Sequence, residues 1–209
     1  MTSMTSASKQ SESLVSTLLF WGSVGFVLAY SGVLLGAFSV QLFAHEFPCP
    51  LCMLQRYAMI LTVIPQLWIV TNSLRGKLKK VEYARCLGMS IIAAVAGSFE
   101  STRQILLHIA TKGDPGYGSA VLGLHLYTWA LITFVVVILY CGGALMAMPY
   151  GTPAAPTSPA WRGVARVATW LFLALILANL VAIILLEGFA WILPDDPTKY
   201  HLLQQLGFH

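Results

Sequence analysis

Five apolar runs, each about as long as a bilayer is thick, constrain this chain more than any other feature. They lie at about Leu18–Phe43, Leu54–Val70, Leu87–Ile109, Val121–Met146 and Val167–Leu193. A helix needs roughly 20 mostly apolar residues to cross the hydrocarbon core of a membrane. Only 10% of the 209 residues are charged, against about 25% in a soluble domain. Mean hydropathy is +0.76. In lipid, backbone polar groups must find partners within the chain, which leaves helices for runs of this kind. The expected fold is all-α, an integral membrane helical bundle. Little chain lies outside the runs, so no separate soluble domain is expected.

The first sixteen residues are polar and Ser/Thr-rich, with Lys9 as their one basic residue. The apolar run that follows is longer than a secretory h-region and has no small-residue cleavage site after it. Residues 1–16 therefore read as a short disordered tail before a retained helix. A Pro-rich linker at 148–166 precedes the fifth run, and 194–209 form a tail that opens with Asp195 and Asp196.

Charge gives the orientation. The Thr71–Arg85 loop carries Arg75, Lys77, Lys79, Lys80 and Arg85 against Glu82, and the Pro149–Arg166 loop carries Arg162 and Arg166 without an acid. Basic loops stay in the cytoplasm. The N-terminus is then inside, and Cys49, Cys52 and the C-terminus lie outside. The net charge of +4 is accounted for by these loops. Nothing in the pattern points to nucleic acid; the partner of such a surface is the lipid bilayer.

The outer side of a bacterial inner membrane is oxidising, so topology sorts the cysteines. Cys86 falls at the cytoplasmic start of the third run. Cys141 lies about 20 residues into the fourth, roughly 30 Å from its outer end at 1.5 Å per residue. Both read as inert apolar thiols. Two remaining thiols are too few for a zinc site, and no metal is expected.

Cys49-Pro50-Leu51-Cys52 occupies the polar gap before the second run. Pro50 suits the first position of a helix, which makes Cys49 the cap. Unpaired N–H groups at a helix start favour a thiolate. This spacing predicts an exposed Cys49, a buried Cys52, and Arg56 one turn below Cys52 on the same face. An arginine that deep in an apolar segment is costly and marks a function. Two readings stay open: a redox dithiol beside a fixed positive charge, or a structural disulfide with Arg56 snorkelling to the headgroups.

The stretch Cys49-Pro50-Leu51-Cys52-Met53-Leu54-Gln55-Arg56 resembles the CxxC-x-x-Q-R signature of the disulfide bond formation protein B family. Arg103-Gln104-Ile105-Leu106-Leu107 is similar to the R-Q-x-x-L stretch of that family's third span. Gly123-Leu124-His125-Leu126-Tyr127-Thr128-Trp129 is similar to the start of its fourth. The family's members are bacterial inner-membrane enzymes that pass electrons from protein dithiols to quinone. The resemblance implies a four-helix core at 17–147, and the fifth apolar run is expected to add a transmembrane helix at 167–193 beyond it. It implies Cys49 and Cys52 as catalytic residues, and a ubiquinone or menaquinone cofactor held near Arg56 and Arg103. It also implies an outer-side thioredoxin-fold or other dithiol protein as partner, met on the periplasmic side. His125, at a similar depth, is a candidate donor to a quinone oxygen.

Two departures stand against the family pattern. The outer loop Ala110–Ala120 lacks the usual second cysteine pair, and a fifth run follows the linker. The first departure keeps open a reductive or specialised-partner exchanger using the same dithiol, since direction follows redox potential.

The other polar residues have plainer readings. Glu100 is expected to pair with Arg103 locally or with Arg56 across the bundle. His45 and Glu46 read as a solvated loop beside the dithiol, and His108 as interfacial. Pro65 is expected to kink its helix. Trp129 and Trp191 suit an aromatic belt. Leu202, Leu203 and Leu206 suit an amphipathic turn on the outer surface or a frayed end.

Overall fold

The computed structural model describes residues 2–44, 46–110, 116, 120–190 and 200–206, which form helices and turns with no strand among them. The helices are α1 (Thr2–Phe43), α2 (Pro50–Leu74), α3 (Lys80–Ala110), α4 (Leu126–Ala147), α5 (Pro159–Glu187) and the short α6 (His201–Gln205). Helices α1 to α4 close into a bundle. α3 packs against α2 and α4, and α2 against α1. Tyr140 of α4 reaches α1, with its hydroxyl 3.4 Å from Ser23 Oγ. α5 lies on the outside of α1 and α2. Phe20, Leu34, Val63, Leu87 and Phe134 are fully buried where the helices meet.

Glu12–Phe43, Pro50–Leu74, Leu126–Tyr150 and Pro159–Glu187 are long and apolar enough to cross a membrane. The third expected run does not reach that standard, because Glu100, Arg103 and several serines dilute it. α3 is placed instead by close packing and by polar bonds to α2. Ser90 Oγ donates to the Thr62 carbonyl at 2.8 Å and accepts from Gln66 Nε2 at 3.2 Å. At Gly97 the Phe134 ring lies where a Cβ would stand, 2.3 Å from the ideal position. The absence of a side chain there lets α4 approach.

Several boundaries differ from the sequence expectation. The tail at 1–16 is helical from Thr2, because extending an established helix is far easier than nucleating one. α4 starts at Leu126 rather than Val121. Val121–Leu124 instead form a tight turn, with Val121 N–H on the Leu124 carbonyl at 2.8 Å and its return bond at 3.1 Å. Leu122 sits at φ 53, a region that interrupts a helix. α5 begins at Pro159, inside the expected linker. It ends at Glu187, where Gly188 takes φ 65 as the C-terminal cap. Residues 191–193 of the fifth run, Trp191, Asp195 and Asp196 lie outside the described residues. α2 runs through Pro65 without a break.

The bundle has two chemically distinct ends. At one, the chain linking α4 to α5 folds onto the ends of α1 and α2. Ala154 N–H bonds the Ser16 carbonyl at 3.2 Å, and Ser73 Oγ the Pro153 carbonyl at 3.1 Å. Arg162 donates to the carbonyls of Leu74 and Pro156. The basic residues of both loops therefore gather at this end. Cys49 and Cys52, at the start of α2, lie at the other.

Candidate functional site

Pro50 occupies the first turn of α2 and Cys49 caps it with extended backbone, φ −70 and ψ 165. The Cys49 sulfur accepts the Cys52 N–H at 3.2 Å, meeting one of the orphan donors of a helix start. This cap brings the two Cα atoms to 5.0 Å, and the pair is joined as a disulfide. The expected order of exposure is reversed. Cys49 is 7% exposed and Cys52 is half-buried. The capping bond turns the Cys49 sulfur inward, and α3 then packs a polar side chain onto it.

That side chain is Gln104. Its amide N–H₂ lies 3.4 Å from Cys49 Sγ and 3.5 Å from Cys52 Sγ. Its carbonyl oxygen accepts from Gln55 Nε2 at 2.7 Å, which fixes which end of the amide faces the sulfurs. Gln55 and Gln104 are both buried. The bonds leave the disulfide in contact with amide donors rather than with charge.

Arg56 lies one turn below Cys52, as the spacing predicts, and is 8% exposed. One guanidinium nitrogen donates to Gln41 Oε1 at 2.8 Å and the other to the Ala37 carbonyl at 3.2 Å. The Phe38 ring lies beneath the charge, 5.3 Å away, a distance at which a ring face attracts a cation. Among the described residues no carboxylate pairs with Arg56. Its hydrogen bonds go to neutral groups of α1. Gln41 in turn donates to the Tyr200 hydroxyl at 3.4 Å.

Between α1, α2 and the start of α4 lies a cavity of about 470 Å³, within the size range of small-molecule sites. Its walls are largely apolar, with Val33, Val40, Met59, Leu126 and Ala130 among them. Cys52, Gln55 and Arg56 line it on the α2 side, with Glu46, Phe47 and Pro48 above them. The Val121–Leu124 turn closes one wall, held by the Trp129 indole N–H on the Val121 carbonyl at 2.9 Å. A disulfide sulfur and the Arg56 guanidinium thus face one largely apolar chamber, which Glu46 also lines.

The family model of disulfide bond formation protein DsbB matches residues 20–115. Over those residues the chain is similar to the DsbB family. They include Cys49, Cys52, Gln55, Arg56 and Gln104. No curated protein and no solved structure matches the chain. The DsbB match ends before α4 and α5, so the α4 wall of the cavity and the Tyr200 contact come from chain beyond it.

Relative to the DsbB segment, the other predicted residues fall in different places. Arg103 is exposed and does not line the cavity. Successive helix residues are rotated by about 100°, so with Gln104 facing the sulfurs its neighbour Arg103 faces outward. His125 precedes α4 without lining the cavity; its ring stacks 5.2 Å from Tyr127, which does line it. His108 also stacks on Tyr127, at 5.3 Å. Among the described residues Glu100 pairs with neither Arg103 nor Arg56, and its buried Oε2 has no hydrogen-bond partner. Glu46 lines the cavity instead of standing in a solvated loop, and Trp129 closes its wall. His45 lies outside the described residues. Among those described, no cluster of His, Cys, Asp or Glu could hold a metal ion. Cys86 and Cys141 are buried free thiols. Cys141 accepts from Gln66 Nε2 at 3.8 Å, away from the dithiol.

Sequence reasoning assigned no role to Gln41, Gln55 or Gln104. A glutamine in an apolar run carries a weaker signal than an arginine. Its cost in lipid is nonetheless several kcal/mol if unpaired, and three such residues near one dithiol are the trace of a bonded network.

Proposed function

We propose that the chain is a membrane thiol–disulfide oxidoreductase that oxidises a periplasmic protein dithiol through Cys49–Cys52 and delivers the electrons to ubiquinone or menaquinone. The observation that carries this reading is that Cys52 and Arg56 line one apolar cavity of about 470 Å³. Its apolar walls and few polar groups suit a quinone ring. A bound quinone supplies a two-electron, two-proton acceptor.

The residues' own work follows from the geometry. A thiolate of the partner, a thioredoxin-fold or other dithiol protein, attacks Cys49 and forms a mixed disulfide, with Cys52 leaving as thiolate. The partner's second thiol then attacks that bond. The partner leaves oxidised, and Cys49 and Cys52 remain as a dithiol holding the two electrons. Because Cys49 is 7% exposed, the segment around it must open for this exchange. Arg56, in a low-dielectric setting, stabilises negative charge on Cys52 and in the cavity. Gln104 can donate to either sulfur in both redox states. The cavity walls exclude water from the charge that develops there.

The basic end of the bundle supports a cytoplasmic assignment for that end, and hence an inner membrane with the dithiol facing the periplasm. An impermeant thiol reagent should label the mildly reduced pair in intact spheroplasts; labelling only after lysis would reverse the orientation.

A second reading has its own observation. Burial of Cys49 and the Gln104 contacts to both sulfurs would equally suit a permanent structural clasp. Turnover separates the two. Purified protein in detergent, given a reduced thioredoxin-fold protein and decylubiquinone, should consume quinone and oxidise the partner. Cys49→Ser and Cys52→Ser should each fall to background. A folded wild-type protein that leaves both reagents untouched would select the clasp.

A further inference from the structure

Beyond the matched segment, Tyr200 reaches back to the site. After α5 the chain returns as α6, and Tyr200 is the residue that caps it. The return is anchored by Gln205, whose Oε1 accepts the Phe189 N–H at 2.9 Å. Gly188 makes room for that contact, since a Cβ there would stand 2.6 Å from the same oxygen. Beneath it, Ile183 and Leu186 of α5 pack with Met53, the residue after Cys52. Tyr200 then makes two contacts. Its ring meets Phe47 edge-on at 4.9 Å, and its hydroxyl accepts from Gln41 Nε2 at 3.4 Å.

We infer that Tyr200 is a positioning residue for Arg56, acting through Gln41. The inference rests on the cavity being the quinone site. Its logic is that of donors and acceptors. A guanidinium only donates, whereas a glutamine amide offers an acceptor at one end and donors at the other. Gln41 can hold Arg56 only with Oε1 turned toward it. With Oε1 taken by Arg56, Nε2 needs an acceptor, and the Tyr200 hydroxyl supplies it. Gln41 is 2% exposed, so water is a poor substitute, and an unpaired buried N–H₂ is costly. Loss of the hydroxyl leaves Nε2 without that acceptor and loosens the side chain that carries Oε1 to Arg56. The charge lining the cavity then loses one of its two fixed acceptors.

The Phe47 contact gives the ring a separate task. Phe47 and Pro48 form cavity wall immediately before Cys49. Tyr200→Phe keeps the ring on Phe47 and removes only the hydroxyl, so it isolates the Arg56 effect.

The test uses the full-length protein in detergent with four forms: wild type, Tyr200→Phe, Gln41→Leu and the double variant. Binding of decylubiquinone to the oxidised protein is read without turnover, by quenching of the fluorescence of Trp129, with Trp129→Phe as the control for quenching elsewhere. Tyr200→Phe should weaken binding by about threefold to tenfold, the loss expected for one neutral hydrogen bond. The KM for quinone should rise by the same factor, while partner oxidation in a single encounter stays at the wild-type rate. The double variant should be no weaker than Gln41→Leu alone. Wild-type affinity in Tyr200→Phe would overturn the inference, as would fully additive losses in the double variant. If wild type itself gives no saturable quenching, the quinone reading fails. Tyr200 is then decided by the unfolding midpoints of the same four forms: non-additive shifts uphold its coupling to Gln41, and additive shifts overturn it.

Discussion

Arg56 and Arg162 sit at opposite ends of the bundle and are used in opposite ways. Arg162 is half-buried and donates to the backbone carbonyls of Leu74 and Pro156. Leu74 is the last residue of α2, where carbonyls lack helical partners and a positive charge is favourable. Its charge is used to finish a helix and bind the linker. Arg56 donates to Gln41 and Ala37 from inside a span, and it also lines a cavity shared with Cys52. The neighbouring polar groups differ in the same way. Ser73 at the basic end bonds a backbone carbonyl. Gln104 at the dithiol end bonds the two sulfurs. An arginine that completes backbone bonding is architecture. One held by a glutamine and a backbone carbonyl beside an apolar chamber also lines a space that a ligand could enter.

Substitution of the two arginines puts that difference at risk. Arg56→Met should slow quinone reduction by roughly tenfold to a hundredfold, since each ~1.4 kcal/mol of lost charge stabilisation is one factor of ten in rate. Mixed-disulfide formation with the partner should remain, so the protein should accumulate reduced or trapped with its partner. Unchanged quinone kinetics in a folded Arg56→Met protein would make Arg56 as architectural as Arg162.

Arg162→Met should do the converse. Stability should fall by about 1–2 kcal/mol, the scale of hydrogen bonds to a charged donor, reduced by the exposure of the site. Quinone and partner kinetics should hold at wild-type values. A kinetic defect at unchanged stability would mean that the basic end takes part in the chemistry.

The smallest effect is expected from Cys86→Ser combined with Cys141→Ser. Cys86 precedes Gln104 by eighteen residues of α3, about 27 Å at the helical rise. Activity should be retained, with only a modest loss of stability from placing hydroxyls at buried positions. Loss of turnover in folded protein would reveal an electron path through the bundle interior.

Much of this was readable before any coordinates. Apolar run length predicts the helical bundle. Pro50 at a helix start predicts the Cys49 cap, and helical spacing puts Arg56 beneath Cys52. The last two depend on neighbours within about one turn, and the first on one continuous stretch of chain. What escaped is long-range. The burial of Cys49 follows from Gln104, which lies 55 residues away. The resemblance points to Arg103, which faces outward, whereas the adjacent neutral Gln104 faces the sulfurs. The helical state of residues 2–16 depends on α1 having formed beyond them. The role of Tyr200 depends on a return from α5 that periodicity does not encode. Local pattern thus located the disulfide-bonded pair and the arginine beneath it. The amides that orient them became visible only when the helices were set side by side.

The most direct measurement needs no partner protein. Purified chain is reduced, freed of reductant, and mixed with decylubiquinone while quinone absorbance and cysteine alkylation are followed together. Sharing of one cavity by Cys52 and Arg56 predicts stoichiometric quinol formation in step with return of the Cys49–Cys52 disulfide, and a slower course in Arg56→Met. A dithiol that stays fully alkylatable while quinone absorbance holds constant would contradict it.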